Sequence, residues 1–151
     1  MEIKDGKDYL PQVKELISEY ADSLNRDLSF QNLKYELDNI AEKYLSPNGE
    51  ILVSVENGAV MGMVAYHKHN DVRCEMKRLY VKPEARGLHL GDSLVKEIIS
   101  RARAAGFTEI VLDTIEPLKA AISLYQKNGF QRCEPYYNNP MNDVVYMIKF
   151  L

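Results

Sequence analysis

The chain has 151 residues and a mass of 17.3 kDa, a length that suits one domain and leaves little room for a second. Hydrophobic residues make up 46% of the chain and charged residues 27%, a balance that excludes disorder and collagen-like structure. The formal net charge of −3 argues against nonspecific nucleic-acid binding, because a protein that binds phosphate backbones needs a general positive field.

The cellular setting is predicted from the cysteines and the N-terminal residues. Cys74 and Cys133 are too few for the disulfide framework of a small secreted domain. Residues 1–8 contain no apolar signal region, and no stretch approaches the ~18 apolar residues of a membrane span. We therefore expect a cytoplasmic location and no membrane partner.

The first half of the chain predicts helices followed by a hairpin. Apolar residues recur with helical spacing in two segments that Pro47 and Gly49 separate from a β-rich run, and Asn57-Gly58 is a strong hairpin signal. The predicted elements are, in order, a strand near Ile3, helices over residues 10–24 and 30–44, and strands over residues 51–55 and 60–67.

The next predicted strand covers residues 74–81 and carries alternating side chains. Regular alternation places Glu75, Lys77, Leu79 and Val81 on one face and the residues between them on the other. After it come a helix over 91–105, a strand over 109–113, a helix over 118–127, and strands over 130–133 and 144–150. The sequence thus predicts one mixed α/β domain over residues 1–151, with a mostly antiparallel sheet, flanking helices and one strand-helix-strand crossover.

The segment from Lys82 to Gly91 joins a strand to a helix through a loop with two glycines and an arginine. Backbone amides at such a junction lie at the positive end of the helix dipole and suit a pyrophosphate. Alone the signal is weak, because many connecting loops contain glycine for turn geometry. Neither the GxGxxG fingerprint nor the GxxxxGK[ST] loop fits here.

Three motifs together resemble the GNAT superfamily of acyl-CoA-dependent N-acetyltransferases. They are Leu79-Tyr80-Val81, Arg86-Gly87-Leu88-His89-Leu90-Gly91 and Leu124-Tyr125-Gln126-Lys127-Asn128-Gly129-Phe130. Their order and spacing match the family, as does the order of elements over the whole chain. Two positions depart from the pattern: His89 replaces the first motif glycine, and Leu118 replaces an asparagine that many members carry. The resemblance predicts a GNAT-like fold for the whole chain.

The resemblance implies acetyl-CoA as cofactor. The pantetheine arm would bind along the strand at Leu79, Tyr80 and Val81, as an added strand does. Backbone amides would surround the pyrophosphate, and the implied residues are Arg86, Gly87, Leu88, His89, Leu90 and Gly91, with Asp92 behind them. A histidine at position 89 fits if its backbone avoids conformations open to glycine alone.

The resemblance also implies the chemistry, a direct transfer of the acetyl group to a primary amine without a metal. Tyr125 matches the general acid that serves the departing thiolate. Glu75 matches a catalytic glutamate of several members and would act as base through water, or after burial has raised its pKa. Helical periodicity alone favours a core aromatic at Tyr125, and it is the motif match that favours the catalytic role. Glu75 is equally well interpreted as a surface carboxylate beside Arg73 or Lys77.

The acceptor would be a small-molecule or peptide amine, bound by a monomer or homodimer. By resemblance its candidate contacts are Arg26, Phe30, Tyr136 and Asn138. The charge distribution agrees with such ligands: residues 77–103 hold seven basic and three acidic side chains, whereas residues 1–72 hold seven basic and 13 acidic ones. An anionic cofactor and a cationic amine would each meet the opposite charge.

Two other functions stay open from the sequence. A catalytically silent module of the same fold could bind acyl-CoA as a sensor, which the departure at His89 motivates. A metal-dependent hydrolase could use His67 and His69, with Asp71 or Cys74 as further ligands, although one histidine pair is thin support for a metal site.

Overall fold

The computed structural model describes residues 1–26 and 32–151. Its helices are α1 (Leu10–Leu24), α2 (Leu33–Asp38), α3 (Ile40–Tyr44), α4 (Leu90–Ala104) and α5 (Lys119–Lys127). Its strands are β1 (Glu2–Asp5), β2 (Gly49–Glu56), β3 (Ala59–Lys68), β4 (Arg73–Val81), β5 (Glu109–Ile115), β6 (Gln131–Arg132) and β7 (Val144–Phe150). None of the helices in these two ranges is long and apolar enough to cross a bilayer.

The strands form one sheet in the order β1-β2-β3-β4-β5-β7-β6. Only β4 and β5 pair in parallel, and α4 is the crossover that connects them. Asn57 and Gly58 both have positive φ, at 52° and 80°, as the predicted two-residue hairpin between β2 and β3 requires. The predicted mixed α/β fold with its mostly antiparallel sheet is confirmed.

Two apolar clusters cover the two faces of the sheet. Leu94, Val95 and Ile98 of α4 pack with Ile122 and Tyr125 of α5 against one face. Leu16 and Ile17 of α1 and Tyr44 of α3 pack against the other face. The helical spacing of these residues turns one side of each helix toward the sheet, so that the fold has two helical layers around a central sheet.

The helix predicted over residues 30–44 is interrupted. Asn39, with φ −133° and ψ 39°, lies outside the helical region and separates α2 from α3. The amide of Asn39 donates to the carbonyl of Glu36, which ends α2. Both pieces still turn apolar residues to the core, among them Leu33, Leu37 and Ile40. The periodicity therefore indicated the buried face, but a local asparagine ends the first helix.

A bulge in β4 changes which side chains share a face. Arg78 has φ 62°, and between the pairs Ala65–Lys77 and Met63–Tyr80 the register against β3 shifts. After the bulge, Tyr80 lies in the α1 cluster, whereas Leu79 and Val81 pack with the α4 cluster. The prediction that Glu75 shares a face with Leu79 and Val81 is wrong, because one extra residue reverses the alternation.

The bulge lies beside an opening in the sheet. The parallel pairing of β4 and β5 ends at Glu75 and Val111, and beyond these residues the two strands diverge. The backbone of residues 76–81 therefore has no β5 partner on that side. A gap in the middle of an otherwise continuous sheet positions the candidate site.

Candidate active site at the opening between two parallel strands

A cleft occupies the opening between β4 and β5. Its wall includes Arg78 and Leu79 from the bulge, Asp113 and Thr114 from β5, Tyr125 from α5 and Tyr20 from α1. Both helical layers contribute to it, so the cleft lies where the sheet opens from one face to the other. The β4 backbone beside the cleft offers donors and acceptors to an extended ligand.

The loop before α4 presents free backbone amides. Among the described residues, the amides of Gly87, Leu88 and His89 have no hydrogen-bond partner. Those of the first α4 turn, from Leu90 to Asp92, lack the carbonyl of a preceding turn, as at any helix start. This set of donors at the positive end of a 15-residue helix fits a pyrophosphate.

His89 caps α4 with a left-handed backbone, at φ 58° and ψ 26°. This region is open to L residues at a cost, unlike the conformations that glycine alone adopts. The backbone of His89 therefore avoids the conformations open to glycine alone, as a histidine at this position requires. The His89 side chain is exposed. Gly87, with φ 89°, supplies the second left-handed turn of the loop.

Charged side chains brace this loop. Nε of Arg86 donates to the Val81 carbonyl at 3.1 Å, and the Arg86 guanidinium lies 5.7 Å from the Tyr80 ring centre. Asp92 accepts from Lys96 and from Nδ2 of Asn128 at 3.0 Å, which connects the start of α4 to the end of α5. The hydrogen bond from Lys96 is the main reason that the pKa of Asp92 falls to about 2.

Tyr125 borders the cleft from the α5 side. Its ring contacts Phe130 at 5.9 Å between centroids, and only 8% of the residue is exposed. Burial raises the pKa of its hydroxyl far above the ordinary 10, and the negative charge of Asp113 adds to the effect. Tyr125 therefore stays protonated, and it can donate a hydrogen bond into the cleft. Tyr125 is therefore both a residue of the core and a residue of the candidate site.

Glu75 is not a surface residue. It is 7% exposed, one oxygen meets Nε2 of His67 at 2.7 Å, and the other accepts from the hydroxyl of Tyr136. Burial alone would raise the pKa of Glu75, but the hydrogen bond with His67, the charge of Lys77 and the Tyr136 hydroxyl lower it to about 2. Of the two alternatives for Glu75, the one in which burial raises its pKa is wrong, and Glu75 is not among the residues that line the cleft.

The acid that does line the cleft is Asp113, which the sequence analysis missed. Its Oδ2 accepts from the Tyr137 hydroxyl and from Nδ2 of Asn139 at 3.5 Å. Nδ2 of Asn139 also meets the Tyr137 oxygen at 2.7 Å. One signal could have indicated this residue: an acid interrupts the otherwise apolar run Ile-Val-Leu-Asp-Thr-Ile of a buried strand.

Comparison with known proteins agrees with this geometry. The model of the acetyltransferase (GNAT) family matches residues 13–130, well over half of the chain. The chain belongs to the GNAT family. An uncharacterized N-acetyltransferase of Schizosaccharomyces pombe is 48% identical over 140 residues, which cover 91% of this chain and 86% of the relative.

Solved GNAT-like structures share the whole fold. A crystal structure of an acetyltransferase from Streptococcus agalactiae is 28% identical, with a TM-score of 0.80, and the match covers 99% of this chain and 98% of that one. PaiA N-acetyltransferase from Thermoplasma acidophilum, solved in complex with coenzyme A, superposes over 100% of both chains with a TM-score of 0.74 at 18% identity. The latter likeness concerns the fold.

The residues expected on the acceptor side of this GNAT fold do not all lie at the cleft. Arg26 lines the cleft and forms a bidentate ion pair with Asp143, with both N–O distances at 2.7 Å. Tyr136 is half-buried against Glu75, whereas Asn138 is exposed. Phe30 lies outside the described residues. Arg26 therefore joins the end of α1 to the loop before β7 at the cleft.

A buried ion pair holds the bulge of this GNAT domain from the α2 side. Nε and Nη2 of Arg78 donate to Glu36 at 2.8 and 3.0 Å, and Lys43 donates to the same carboxylate at 2.9 Å. Glu36 is 3% and Arg78 6% exposed. Burial raises the pKa of Glu36, but the contacts with Arg78 and Lys43 lower it to about 2.

The histidine pair considered as a metal site is split in the structure. His67 is bonded to Glu75, while His69 follows β3 and packs its ring 6.0 Å from that of Tyr136. Within residues 1–26 and 32–151, no group of three His, Cys, Asp or Glu side chains is arranged to hold a metal ion. Cys74 is buried, and burial raises its pKa to about 12, as for a packed thiol.

Proposed function

We propose that this GNAT domain, residues 1–151, transfers the acetyl group of acetyl-CoA directly to a primary amine. The observation that carries the proposal is the combination of free amides at the start of α4 with a cleft that opens between β4 and β5 beside Tyr125. The coenzyme A complex of the T. acidophilum protein, which has the same fold, supports coenzyme A as the ligand.

The cofactor would lie along residues 79–81 and reach the loop with its phosphates. The unpaired β4 edge would hydrogen-bond the pantetheine arm at Leu79 and Val81, as an added strand does. Because the Val81 carbonyl already accepts from Arg86, the Val81 contact would rest on its amide. The amides of residues 87–92 would bind the pyrophosphate, so the side chain of His89 need not take part.

Bound acetyl-CoA would supply an activated acetyl group as a thioester. The amine nitrogen forms a bond to the acetyl carbon, the carbon–sulfur bond breaks, and the amine loses one proton while the thiolate gains one. Tyr125 would hydrogen-bond the leaving sulfur. Its raised pKa makes full proton transfer to a thiolate unfavourable, so stabilisation by the hydrogen bond is its expected contribution.

Glu75 would serve the reaction by holding the loop before β7 in position. A carboxylate with a pKa of about 2 is a poor direct base for an amine of pKa ~10.4, and both of its oxygens are occupied. Through Tyr136 it fixes the loop that precedes β7, which borders the acceptor side of the cleft. The hydrogen bond with His67 and the nearby charge of Lys77 both lower the pKa of Glu75, which suits an ionised anchor.

Ligand binding and thiol release test the function. Acetyl-CoA is expected to raise the melting temperature, and EDTA to leave it unchanged. Thiol release from acetyl-CoA is then followed with amino acids, polyamines and peptide N-termini, and at least one amine is expected to accelerate it. Binding without amine-stimulated release would contradict the transferase and leave an acyl-CoA sensor. Loss of thermal stability in EDTA, with no effect of acetyl-CoA, would contradict both.

A further inference from the structure

Four charged side chains of the described residues line the cleft: Arg26, Lys77, Arg78 and Asp113. Arg78 pairs with Glu36 and Arg26 pairs with Asp143, while the charge of Lys77 helps to lower the pKa of Glu75, so each of the three cations has an acid of the protein nearby. Asp113 is the one acid among the described residues that line the cleft. None of the ion pairs of the described residues includes it.

The partners of Asp113 are neutral donors that orient it. Tyr137 and Asn139 both donate to Oδ2, and no described residue donates to Oδ1. A carboxylate can accept at both oxygens, so Oδ1 remains available to a ligand in the cleft. Tyr137 and Asn139 belong to the loop before β7, which Tyr136 anchors to Glu75.

The negative charge of Asp113 acts over the acceptor side of the cleft. It contributes to the raised pKa values of five tyrosines, which are Tyr20, Tyr125, Tyr136, Tyr137 and Tyr146. Asp113 and Glu75 lie on the same sheet face, because Glu75 pairs with Val111 in parallel register and Asp113 is two residues further along β5. This is the face opposite the α4 cluster, which contains Leu112.

We propose that Asp113 binds the ammonium group of the acceptor through Oδ1 and thereby selects cationic amines. The inference rests on the proposed function and deepens it by naming the residue that recognises the acceptor. The ammonium group would be the cationic partner of Asp113, which forms no ion pair with a described residue. Because the ammonium must lose its proton before attack, Asp113 acts in recognition and alignment of the acceptor, and the proton leaves to solvent.

Two coenzyme A thioethers test this proposal without turnover. S-(2-aminoethyl)-CoA carries an ammonium group just beyond the sulfur, and S-propyl-CoA has a neutral group of similar size. Calorimetric titration of the wild-type protein is expected to show about 10- to 100-fold tighter binding of the aminoethyl compound, the range for a hydrogen bond to a charged group. Equal affinities would overturn the proposal without any variant.

Variants assign the effect to one residue. Asp113→Asn is expected to reduce the ratio of the two affinities to about one, with unchanged affinity for S-propyl-CoA. Glu109→Gln removes a carboxylate from the far end of the same strand and is expected to keep the wild-type ratio. An undiminished ratio in Asp113→Asn would overturn the assignment. If neither thioether binds the wild type, the proposed function itself fails, and this inference fails with it.

Discussion

The hydroxyl of Tyr136 donates a hydrogen bond to the buried carboxylate of Glu75. The next residue, Tyr137, makes the same contact with Asp113 on the neighbouring strand. Two consecutive tyrosines of the loop before β7 are thus tied to two acids on adjacent parallel strands. The loop position therefore depends on both acids.

The Glu75 anchor predicts a pH-dependent contribution to stability. Its pKa is about 2 in the folded protein against an ordinary 4.5, so the folded state binds the proton less readily than the unfolded state. The contribution, about 3 kcal/mol, is complete above pH ~5 and is lost as the pH falls toward 2. Urea unfolding should show that the stability gap between wild type and Glu75→Gln narrows over this range.

Glu56→Gln is the matched control, because Glu56 is an exposed carboxylate at the end of β2. Its stability difference from wild type should stay near zero throughout. A gap for Glu75→Gln that is constant from pH 7 to pH 3 would contradict the lowered pKa. Glu36, whose pKa is also about 2, is present in both proteins and cancels from the comparison.

The buried pair of Glu36 and Arg78 predicts an asymmetric response to mutation. Glu36→Ala leaves the Arg78 charge buried with one carboxylate fewer and is expected to cost about 3–5 kcal/mol of unfolding free energy. Replacing both residues by apolar ones, as Glu36→Leu with Arg78→Met, should cost less than the single variant. Chemical denaturation measures the unfolding free energies of the wild type, Glu36→Ala and the double variant.

Glu42→Ala provides the control for this series. Glu42 is exposed on α3 and bonds to the hydroxyl of Tyr35, so its loss should change stability by less than about 0.5 kcal/mol. A double variant less stable than Glu36→Ala would contradict the account, since it would mean that the buried Arg78 charge without the Glu36 carboxylate is not what destabilises the single variant.

The left-handed backbone of the loop before α4 predicts opposite effects at two nearby positions. His89→Gly removes a side chain from a residue with φ 58° and is expected to raise stability by up to about 1 kcal/mol. Gly87→Ala adds a β-carbon at φ 89°, where no atom lies within 4 Å, so its expected cost of about 1–2 kcal/mol comes from backbone conformation alone.

Thermal unfolding distinguishes the two effects, and 1 kcal/mol corresponds to about 2–4 °C at this size. The affinity of His89→Gly for acetyl-CoA should be at least that of wild type, because the backbone amides make the proposed contacts. Destabilisation by His89→Gly would show that the imidazole contributes more than its backbone costs.

The order of elements could be predicted from the sequence because hydrophobic spacing and turn residues are local signals. The hairpin at Asn57-Gly58 follows from such a signal, whereas the three motifs are recognised by their resemblance to the GNAT family. The bulge at Arg78 could not be, since alternating side chains look regular whether or not one residue is inserted. That single residue reversed the relation between Glu75 and Leu79.

Apart from Arg26, the predicted residues that the structure brings to the cleft or to the loop before α4 belong to the motifs. Tyr125 and the loop from Arg86 to Gly91 are recognisable as sequence patterns, and they border the cleft or carry free amides. The partners of Glu75 come from residues eight and 61 positions away, so their effect on its pKa is not encoded locally. Asp113 was missed for the same reason, because its importance depends on which other charges are already paired.

Tyr125→Phe tests the chemistry of the cleft most directly. If the hydroxyl stabilises the leaving sulfur, its removal should lower kcat by about 100- to 1000-fold, the range for loss of one hydrogen-bond donor to a developing negative charge. The affinity for acetyl-CoA should remain within about twofold, because the proposed contacts of the cofactor are with β4 and the loop before α4. Steady-state thiol release measures kcat, and calorimetry measures the affinity for acetyl-CoA.

Tyr66→Phe is the matched control, because it removes the hydroxyl of another buried tyrosine. That hydroxyl donates to Glu50 at 3.0 Å, and Tyr66 does not line the cleft. An unchanged kcat in Tyr125→Phe would remove this hydroxyl from the mechanism and leave Tyr125 as a core residue at the wall of the cleft.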